Sequence, residues 1–337
     1  MKVLFIGGTG LISSAATNLA VQQGIDLYLL TRGKREGSVP EEATLLHGDI
    51  NNRDEMKALL KDRYFDVVVN WINFMAEDIE RDIAYFTGKT SQYIFISTVA
   101  TYQRPPVYYK LDESTPQHNP VWDYATNKLA SEERLIKEYR QHSFPITIVR
   151  PSHTYGESSI PFAVTSGAHP WTLVDRILQG KKIIVPGDGT SLWTITHNSD
   201  FAKGLVGLFG NTQTIGHAFH ITSDEVKTWN QYLQILGEAV GVKPKPIHMT
   251  SESISLFMPE FKGQLFGDIS NSYVVDNHKI KTFVPGYMAT TNFEKGIRQS
   301  INYFKERPAL QTIDDVLNKK MDNAIARYEV FLASIGE

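Results

Sequence analysis

The sequence MKVLFIGGTGLIS, residues 1–13, decides the fold, because an apolar run breaks there into closely spaced glycines. The apolar residues 3–6 predict a buried β-strand, and Gly7, Gly8 and Gly10 predict a tight turn. Small or apolar side chains then recur at helical spacing, at Ile12, Ala15, Ala16 and Leu19. We therefore expect a strand, a glycine-rich turn and a helix to follow one another without an insertion.

This turn has the chemistry of a phosphate-binding loop. Glycine permits positive φ and lets the backbone approach a pyrophosphate closely, and a helix N-terminus offers free N–H groups and the positive end of a dipole. Ser13 stands where the commonest dinucleotide motif has its third glycine. A tight turn in another kind of α/β protein is the alternative. The residues predicted to contact the cofactor here are Gly7, Thr9, Gly10, Leu11 and Ile12.

Composition narrows the class of protein. The 337 residues include 34 basic and 37 acidic side chains, a net charge of −3 that makes nucleic acid an unlikely partner. The absence of cysteine excludes disulfides, thiolate metal sites and cysteine nucleophiles. The first apolar run is too short for a signal peptide, and no stretch approaches the roughly 18 apolar residues of a membrane span. We expect a cytoplasmic protein without a membrane segment.

Strand and helix patterns alternate along the first half of the chain. Further strands are predicted at residues 27–30, 44–47, 66–70, 93–96 and 146–149, and helices at about residues 53–61, 77–86 and 123–142. This alternation predicts an α/β fold with a doubly wound parallel sheet of the Rossmann type. A smaller α/β substrate-binding region is expected to follow it.

The domain division follows from the point at which the regular alternation of strands and helices ends. Residues 1–150 are predicted to form the NAD(P)-binding domain, to which a later segment, about residues 183–221, can return. Residues 151–337 are predicted to form mainly the substrate-binding region and C-terminal helices. The amphipathic segment at residues 313–335 is expected to pack on its own chain, with a homodimer as the alternative.

The residues at the ends of the second and third strands indicate which cofactor is bound and how its adenine is held. An acidic residue after the second strand accepts from both ribose hydroxyls of NAD, whereas an arginine can pair with the 2′-phosphate of NADP. This chain has Thr31 there, followed by Arg32, Lys34 and Arg35. We therefore favour NADP over NAD, with a merely solvated basic loop as the alternative. After the third strand, Asp49 with Ile50 is placed to accept from the adenine amino group.

The candidate chemistry lies on the helix that begins near residue 123. Tyr124 and Lys128 are four residues apart, so their side chains share one face. An ammonium group near a phenol favours the phenolate, which lowers the pKa of the tyrosine towards neutrality. Thr98, or Ser97 beside it, ends the preceding strand and can hold a substrate oxygen. An ordinary surface tyrosine–lysine pair is the alternative.

These motifs together resemble the extended short-chain dehydrogenase/reductases, the NAD-dependent epimerase/dehydratase proteins, over about residues 1–240. The motifs are Gly7-Gly8-x-Gly10, Asp49-Ile50, Ser97-Thr98 before Tyr102, Tyr124-x-x-x-Lys128 and Arg150-Pro151. The resemblance implies that Tyr124 is the acid/base, that Lys128 lowers its pKa and holds the nicotinamide ribose, and that Thr98 orients the reacting oxygen. It also implies that Pro151 contacts the cofactor.

Departures from the family pattern concern the substrate. Where sugar-nucleotide epimerases have R-x-x-N, this chain has Arg150-Pro151-Ser152-His153, and Trp193 replaces an arginine that grips the diphosphate. A UDP- or dTDP-sugar is therefore disfavoured. Dehydration is disfavoured too, because Val99-Ala100 stands where dehydratases have Asp-Glu. The candidate substrate contacts are Asn73, His153, Trp193 and His197, with ordinary packing as the alternative for each.

Two interpretations of function follow. The first is an NAD(P)-dependent oxidoreductase or epimerase that acts by hydride transfer on a small, sugar-like molecule. The second is a non-catalytic Rossmann protein, either an RNA-binding protein similar to the chloroplast stem-loop-binding proteins, which the segment Thr31-Arg32-Gly33-Lys34 resembles, or an NADP-sensing regulator. The set Thr98, Tyr124 and Lys128 favours the enzyme. No histidine pair has a metal-ligand spacing, so no metal site is expected.

Overall fold

The computed structural model describes residues 1–33 and 39–335. The strands are β1 (Lys2–Ile6), β2 (Asp26–Thr31), β3 (Thr44–His47), β4 (Phe65–Asn70), β5 (Thr90–Ile96), β6 (Lys110–Leu111), β7 (Ile146–Arg150), β8 (His153–Tyr155), β9 (Lys182–Pro186), β10 (Leu192–Trp193), β11 (Ile195–His197), β12 (Ala218–His220), β13 (Lys227–Thr228), β14 (Lys245–Met249) and β15 (Val274–Val275). The helices are α1 (Ser13–Gln22), α2 (Arg53–Leu59), α3 (Ala76–Phe86), α4 (Asp123–His142), α5 (Trp171–Leu178), α6 (Asn198–Gly207), α7 (Trp229–Val240), α8 (Ser251–Phe257), α9 (Lys262–Gln264), α10 (His278–Phe283), α11 (Phe293–Lys305) and α12 (Asp315–Ile335).

A seven-stranded sheet forms the centre of the first half. Its strand order is β12-β7-β5-β4-β1-β2-β3, and every pairing is parallel. Val3, Leu4 and Phe5 of β1 are fully buried, as expected for a strand covered by helices on both faces. The predicted doubly wound α/β fold is confirmed. The chain changes direction across the sheet between β1 and β4, which leaves a crevice at the carboxyl ends of these strands.

Helices cover both faces of this sheet, and each face has its own hydrophobic core. On one face, Ala16 and Ala20 of α1 and Phe201 and Leu205 of α6 pack in a core with the odd-numbered residues of β1. On the other face, α3 and α4 bury Ile79, Ile83 and Leu135 in a separate core. One core packs α1 against the sheet, and the other packs α3 and α4. The N-terminal residues of these three helices lie at the crevice.

The second half has its own hydrophobic core, which includes Trp171, Trp193 and Trp229. The segment that returns to the main sheet is shorter than residues 183–221, because β12 joins β7 there but β9 does not. Strand β9 pairs instead with β14, and its residues Ile183 and Ile184 are buried in the second core. Their burial among side chains of the second half explains the difference from expectation.

The C-terminal helix α12 packs on the body of the same chain. Leu317, Met321 and Ala324 are buried in the second core. The buried Arg176 donates to Asp322 of this helix at 2.8 Å. Helix α12 is covered by its own chain and does not need a second subunit for its packing. Dimerisation therefore stays a prediction. Within residues 1–33 and 39–335, no helix combines the length and apolar character needed to cross a membrane.

Candidate active site

The glycine-rich turn connects β1 directly to α1. The φ angles of Gly7 and Gly8 are 94° and 106°, values that side chains other than hydrogen disfavour. A Cβ atom on Gly8 would lie 2.9 Å from the side chain of Leu29, so a larger residue would push the turn away from the sheet. Ser13 fits the position of the missing third glycine because its hydroxyl accepts from the Gly10 N–H at 2.9 Å.

A cavity of about 670 Å³ opens between this turn and the carboxyl ends of the central strands. All eleven residues predicted to contact the cofactor line it: Gly7, Thr9, Gly10, Leu11, Ile12, Arg32, Asp49, Ile50, Tyr124, Lys128 and Pro151. Lys34 and Arg35 lie outside the described residues. The N-terminus of α1 has no side-chain cap within the described part of the chain, which leaves N–H groups for a ligand. The close-packed glycines and this helix end fit a dinucleotide pyrophosphate.

Tyr124 and Thr98 meet beside this cavity. The Thr98 hydroxyl lies near enough to the Tyr124 phenol to influence its pKa. Burial raises the pKa of Tyr124, the Thr98 hydroxyl opposes that rise, and the Asp268 carboxylate adds to it. Thr98 is fixed in turn because its hydroxyl oxygen accepts from the Ala100 N–H at 3.1 Å. The pair can hold and exchange a proton with an oxygen placed between them.

The position of Lys128 corrects one expectation. Its ammonium donates to the backbone oxygens of Asn73 and Ile96, at 2.6 and 2.8 Å. The expected lowering of the Tyr124 pKa is wrong for this structure, in which that pKa is raised. Burial lowers the pKa of Lys128 itself to about 8, although the charges of Glu132 and Asp78 oppose the change. Two of the three N–H groups therefore anchor the lysine, and the third is free to bind a ligand in the cavity.

The Lys128 pKa predicts a pH dependence of cofactor affinity. The ammonium attracts an anionic dinucleotide, so we expect affinity to fall as the pH rises through about 8. The expected loss from pH 7 to pH 9 is roughly tenfold, in step with the charged fraction of the lysine. Because the folded-state pKa lies below the ordinary 10.5, the unfolded chain binds more protons between these values. The Lys128 contribution to folding stability should therefore rise with pH over that range.

Calorimetric titrations with NADPH at several pH values test this expectation. The variant Lys128→Met should bind more weakly at pH 7 and show no decline at higher pH. A native-like decline in that variant would assign the titration to another group.

Asn73 does not present its side chain to a substrate, contrary to expectation. The residue is buried, and its amide oxygen accepts from Arg81 at 2.7 Å. Its amide nitrogen donates to Asp82 at 2.8 Å and to the Tyr93 hydroxyl at 3.3 Å. The side chain is committed to this internal network, and only the backbone oxygen faces the site through Lys128.

Trp193 and His197 contribute to packing, and their role as substrate contacts stays a prediction. Trp193 is buried between Trp229 and Tyr273, at ring distances of 5.1 and 5.9 Å. His197 caps α6, because its Nδ1 accepts from the Ser199 N–H at 3.3 Å and contacts the Ser199 hydroxyl at 2.7 Å. Burial lowers the pKa of His197, so its ring is neutral at pH 7.

His153 is the fourth candidate substrate contact. It is half-buried at the start of β8 and packs edge-on against Trp193 at 5.5 Å. Burial lowers its pKa to about 4, so it is a neutral donor or acceptor at pH 7. Asn73, His153, Trp193 and His197 are absent from the described residues that line the large cavity. His153 as a substrate contact stays a prediction.

Three residues around Tyr124 were missed from the sequence. The Trp122 ring lies 4.8 Å from that of Tyr124, and Asp268 acts on the phenol through its charge. Asn119 donates to the Ala100 and Gly267 oxygens, both at 2.7 Å, and so joins the loop after Thr98 to the π-helical turn Leu265–Ile269. The closeness of Trp122 to Tyr124 in the sequence could have indicated their contact. Asp268 lies far along the chain, and no local pattern marks it.

Beneath the site, a buried ion pair supports Ser97. Arg150 donates to both carboxylate oxygens of Glu132, at 2.6 to 3.1 Å, and the Ser97 hydroxyl donates to the same carboxylate. Arg150 also donates to the Tyr102 hydroxyl at 2.8 Å. Arg150, one of the residues of the family motif, is therefore buried and contacts other side chains of the protein. Among the described residues, no group of three or more His, Asp or Glu side chains has the arrangement of a metal site.

Comparison with known sequences decides the family. Residues 3–221 match the model of the NAD dependent epimerase/dehydratase family. This chain belongs to that family. The resemblance predicted from the motifs is confirmed, and the match supports a nicotinamide dinucleotide as the cofactor of the cavity.

Relatives of this NAD-dependent epimerase/dehydratase chain differ in activity. The chloroplast stem-loop binding protein of 41 kDa b from Arabidopsis thaliana is 24% identical over 95% of this chain and 85% of its own length. The UDP-glucose 4-epimerase of Lactobacillus helveticus is 28% identical over 91% of this chain and 98% of its own. The structure of UDP-glucuronic acid 4-epimerase from Bacillus cereus, in complex with UDP-glucuronic acid and NAD, has a TM-score of 0.73 and 20% identity, covering 91% of this chain and 99% of that one.

Proposed function

We propose that this protein is an NAD(P)-dependent oxidoreductase or epimerase that acts at a hydroxyl or carbonyl carbon of a sugar-like small molecule. The observation that carries the proposal is that Tyr124, Lys128 and the glycine-rich turn line one cavity, with Thr98 near enough to the Tyr124 phenol to influence its pKa. Binding of a nucleotide alone does not require a half-buried phenol and a hydroxyl at that place. Family membership supports the same class of reaction.

Each residue has a defined part in the proposed mechanism. A nicotinamide dinucleotide held by the residues that line the cavity would supply or accept the hydride. Tyr124, whose raised pKa keeps it protonated at neutral pH, donates its proton to the oxygen of a carbonyl substrate or recovers one from an alcohol. Thr98 holds the same oxygen. Lys128, anchored on two backbone oxygens, would hold the nicotinamide ribose through its remaining N–H.

A substrate without a nucleotide diphosphate suits the charges around the site. Arg150 is bound by Glu132, and Arg104 is paired with Asp268 at 3.4 Å. Both side chains are buried, and Arg104 also donates to the Val99 oxygen at 3.2 Å. Neither guanidinium is available as a bidentate clamp for a diphosphate. We therefore propose that the substrate is a neutral polar molecule, unlike the UDP-sugars named for several relatives.

We further propose that the cofactor is NADP, because Arg32 lines the cavity beside the end of β2. Replacing Arg32 with alanine should shrink the preference for NADP over NAD by roughly tenfold, the loss of one charge-assisted phosphate contact. Titrations of both cofactors measure that ratio. Arg53→Ala, on α2 and outside the residues that line the cavity, is the control and should leave the ratio unchanged. Equal affinities in the native protein would contradict the preference.

Two measurements test the enzyme proposal. Mass spectrometry of ligands carried through native purification would identify a retained cofactor, the behaviour expected of an epimerase. Hydride exchange from 4-deuterated NADPH into a panel of aldoses, ketoses and polyols would identify a reductase. The proposal fails if the protein retains no cofactor, exchanges no hydride and shows the same cellular role after Tyr124→Phe.

The relative from chloroplasts supports one alternative function. Its name describes stem-loop binding, and its alignment covers 95% of this chain. An RNA-binding function predicts submicromolar affinity for stem-loop RNA that weakens steeply with salt. Gel-shift titrations at 50 and 200 mM salt would test it. Binding that NADPH does not change, together with no hydride exchange, would favour this alternative over the enzyme.

A further inference from the structure

A network of polar side chains connects two loops that line the cavity. The first, the adenine-side loop, is residues 48–51 after β3, and the second, the lysine-side loop, is residues 71–75 after β4. In the strand order β4-β1-β2-β3, these loops start three strands apart, or roughly 14 Å at the ordinary strand spacing. Asn51 and Phe74 are members of the two loops that line the cavity.

Arg81 of α3 touches both loops with one guanidinium group. Its Nη1 donates to the Asn51 amide oxygen at 2.5 Å, and its Nη2 donates to the Asn73 amide oxygen at 2.7 Å. Nε and Nη2 also donate to one oxygen of Asp82, at 3.0 and 2.9 Å. All three guanidinium nitrogens are therefore engaged. Only the planar fork of arginine can reach these acceptors together.

The network has few degrees of freedom. Asp82 is fully buried, and its second oxygen accepts from the Tyr93 hydroxyl at 2.6 Å and the Asn73 amide at 2.8 Å. The Asn73 backbone N–H is held by the Asn70 side chain at 3.1 Å. Both ends of the Asn73 amide and its own N–H are thus fixed. Its backbone oxygen, the acceptor of the Lys128 ammonium at 2.6 Å, is fixed with them.

We propose that Arg81 is a positioning residue that couples the adenine-side loop to Lys128, through Asn51 on one side and Asn73 on the other. The two parts of the cavity then contribute to cofactor affinity as one unit. Movement of Asn51 on binding is transmitted by a single rigid guanidinium to the oxygen that anchors Lys128. This inference rests on the proposed placement of the dinucleotide in the cavity.

A double-mutant cycle on cofactor binding tests the coupling. NADPH dissociation constants are measured for Asn51→Ala, Lys128→Met and the double variant, first with Arg81 present and then in an Arg81→Lys background. With Arg81 present, the double variant should lose roughly threefold less affinity than the product of the single losses, because each change already disturbs the other end. With Arg81→Lys, the losses should multiply.

The background variant is chosen to keep the protein folded. Lysine preserves a positive charge beside the buried Asp82 but cannot supply separate nitrogens to Asn51 and Asn73. Asn73→Ala offers a second route, since it removes the amide that Arg81 holds and keeps the backbone oxygen that Lys128 uses. This variant should also abolish the coupling. Persistence of the coupling in Arg81→Lys would overturn the role of Arg81. Persistence in Asn73→Ala would overturn the route through Asn73, because Arg81 also donates to Asp78 at 3.0 Å.

The matched control is Arg134→Lys. Arg134 lies on α4, and its guanidinium also reaches α3, through Glu80. It contacts no residue of either loop in the described structure, so the coupling should survive its replacement. If neither Asn51→Ala nor Lys128→Met weakens NADPH binding, the placement of the cofactor is wrong. If both weaken it and their losses multiply with Arg81 in place, the placement stands and the coupling is refuted.

Discussion

Tyr124→Phe is expected to lower turnover by about 10²–10⁴-fold, the usual contribution of a positioned acid/base. The ring and its contact with Trp122 persist, and only the hydroxyl that meets Thr98 is lost. NADPH affinity should change less than about threefold, since the phenol acts on the substrate oxygen. The measurement is the rate of hydride exchange with the substrate found in the panel, alongside a binding titration.

The control for this prediction is Tyr155→Phe. Tyr155 is also a buried tyrosine, and its hydroxyl has no hydrogen-bond partner within the described part of the chain. It packs against His197 and Phe293 in the second half, outside the cavity lining. Its variant should keep native turnover. Equal rates for the native protein and Tyr124→Phe would remove Tyr124 from the chemistry.

Glu132→Ala is expected to lower the free energy of unfolding by about 3–5 kcal/mol, because it leaves a buried guanidinium without its counter-ion. The Arg150 and Glu132 side chains are only 4% and 0% exposed and are joined at 2.6 Å. The same change removes the acceptor of the Ser97 hydroxyl and of the Gln117 amide, the latter at 2.9 Å. Urea unfolding followed by circular dichroism measures the loss.

An exposed ion pair gives the comparison. Glu294 and Arg298 meet at 3.3 Å on α11 with about half of each side chain exposed. Glu294→Ala should cost less than about 1 kcal/mol. Replacing both buried partners, Glu132→Leu with Arg150→Met, should recover most of the loss because no unpaired charge is left inside. A cost for Glu132→Ala no larger than that for Glu294→Ala would show that the buried pair contributes little.

The cofactor half of the molecule was predictable because its signals are local. A buried parallel strand must be apolar along its whole length, a phosphate turn needs glycine, and the helix after it needs a 3.6-residue period. Residues 3–6, Gly7, Gly8 and Gly10 meet these demands within one short stretch. Apart from Tyr124 and Lys128 on α4, the predicted cofactor residues follow the ends of parallel strands, which bring their carboxyl ends to one edge.

The predicted substrate contacts were harder to place because their side-chain partners belong to other elements of the fold. Nothing near Asn73 in the sequence reveals that Asp82 and Tyr93 occupy its amide. Trp193 was expected to contact a substrate, yet its environment is set by Trp229, which belongs to another element. An aligned position indicates where a side chain starts, and only the assembled core determines whether it reaches a ligand or is buried.

The division of the cavity lining along the chain has a consequence for how such proteins diversify. Its described lining residues fall between Ile6 and Pro151, whereas the wall that approaches Tyr124 from the far side includes Asp268. Mutations around Asp268 can therefore change the surroundings of Tyr124 without altering a residue that lines the cavity. Descendants of one ancestral gene could inherit the redox half intact and explore new metabolites with the other. For the same reason, a chimera that keeps residues 1–151 together with α6 and β12, which complete the packing of the first half, should retain its coenzyme while adopting a donor's specificity.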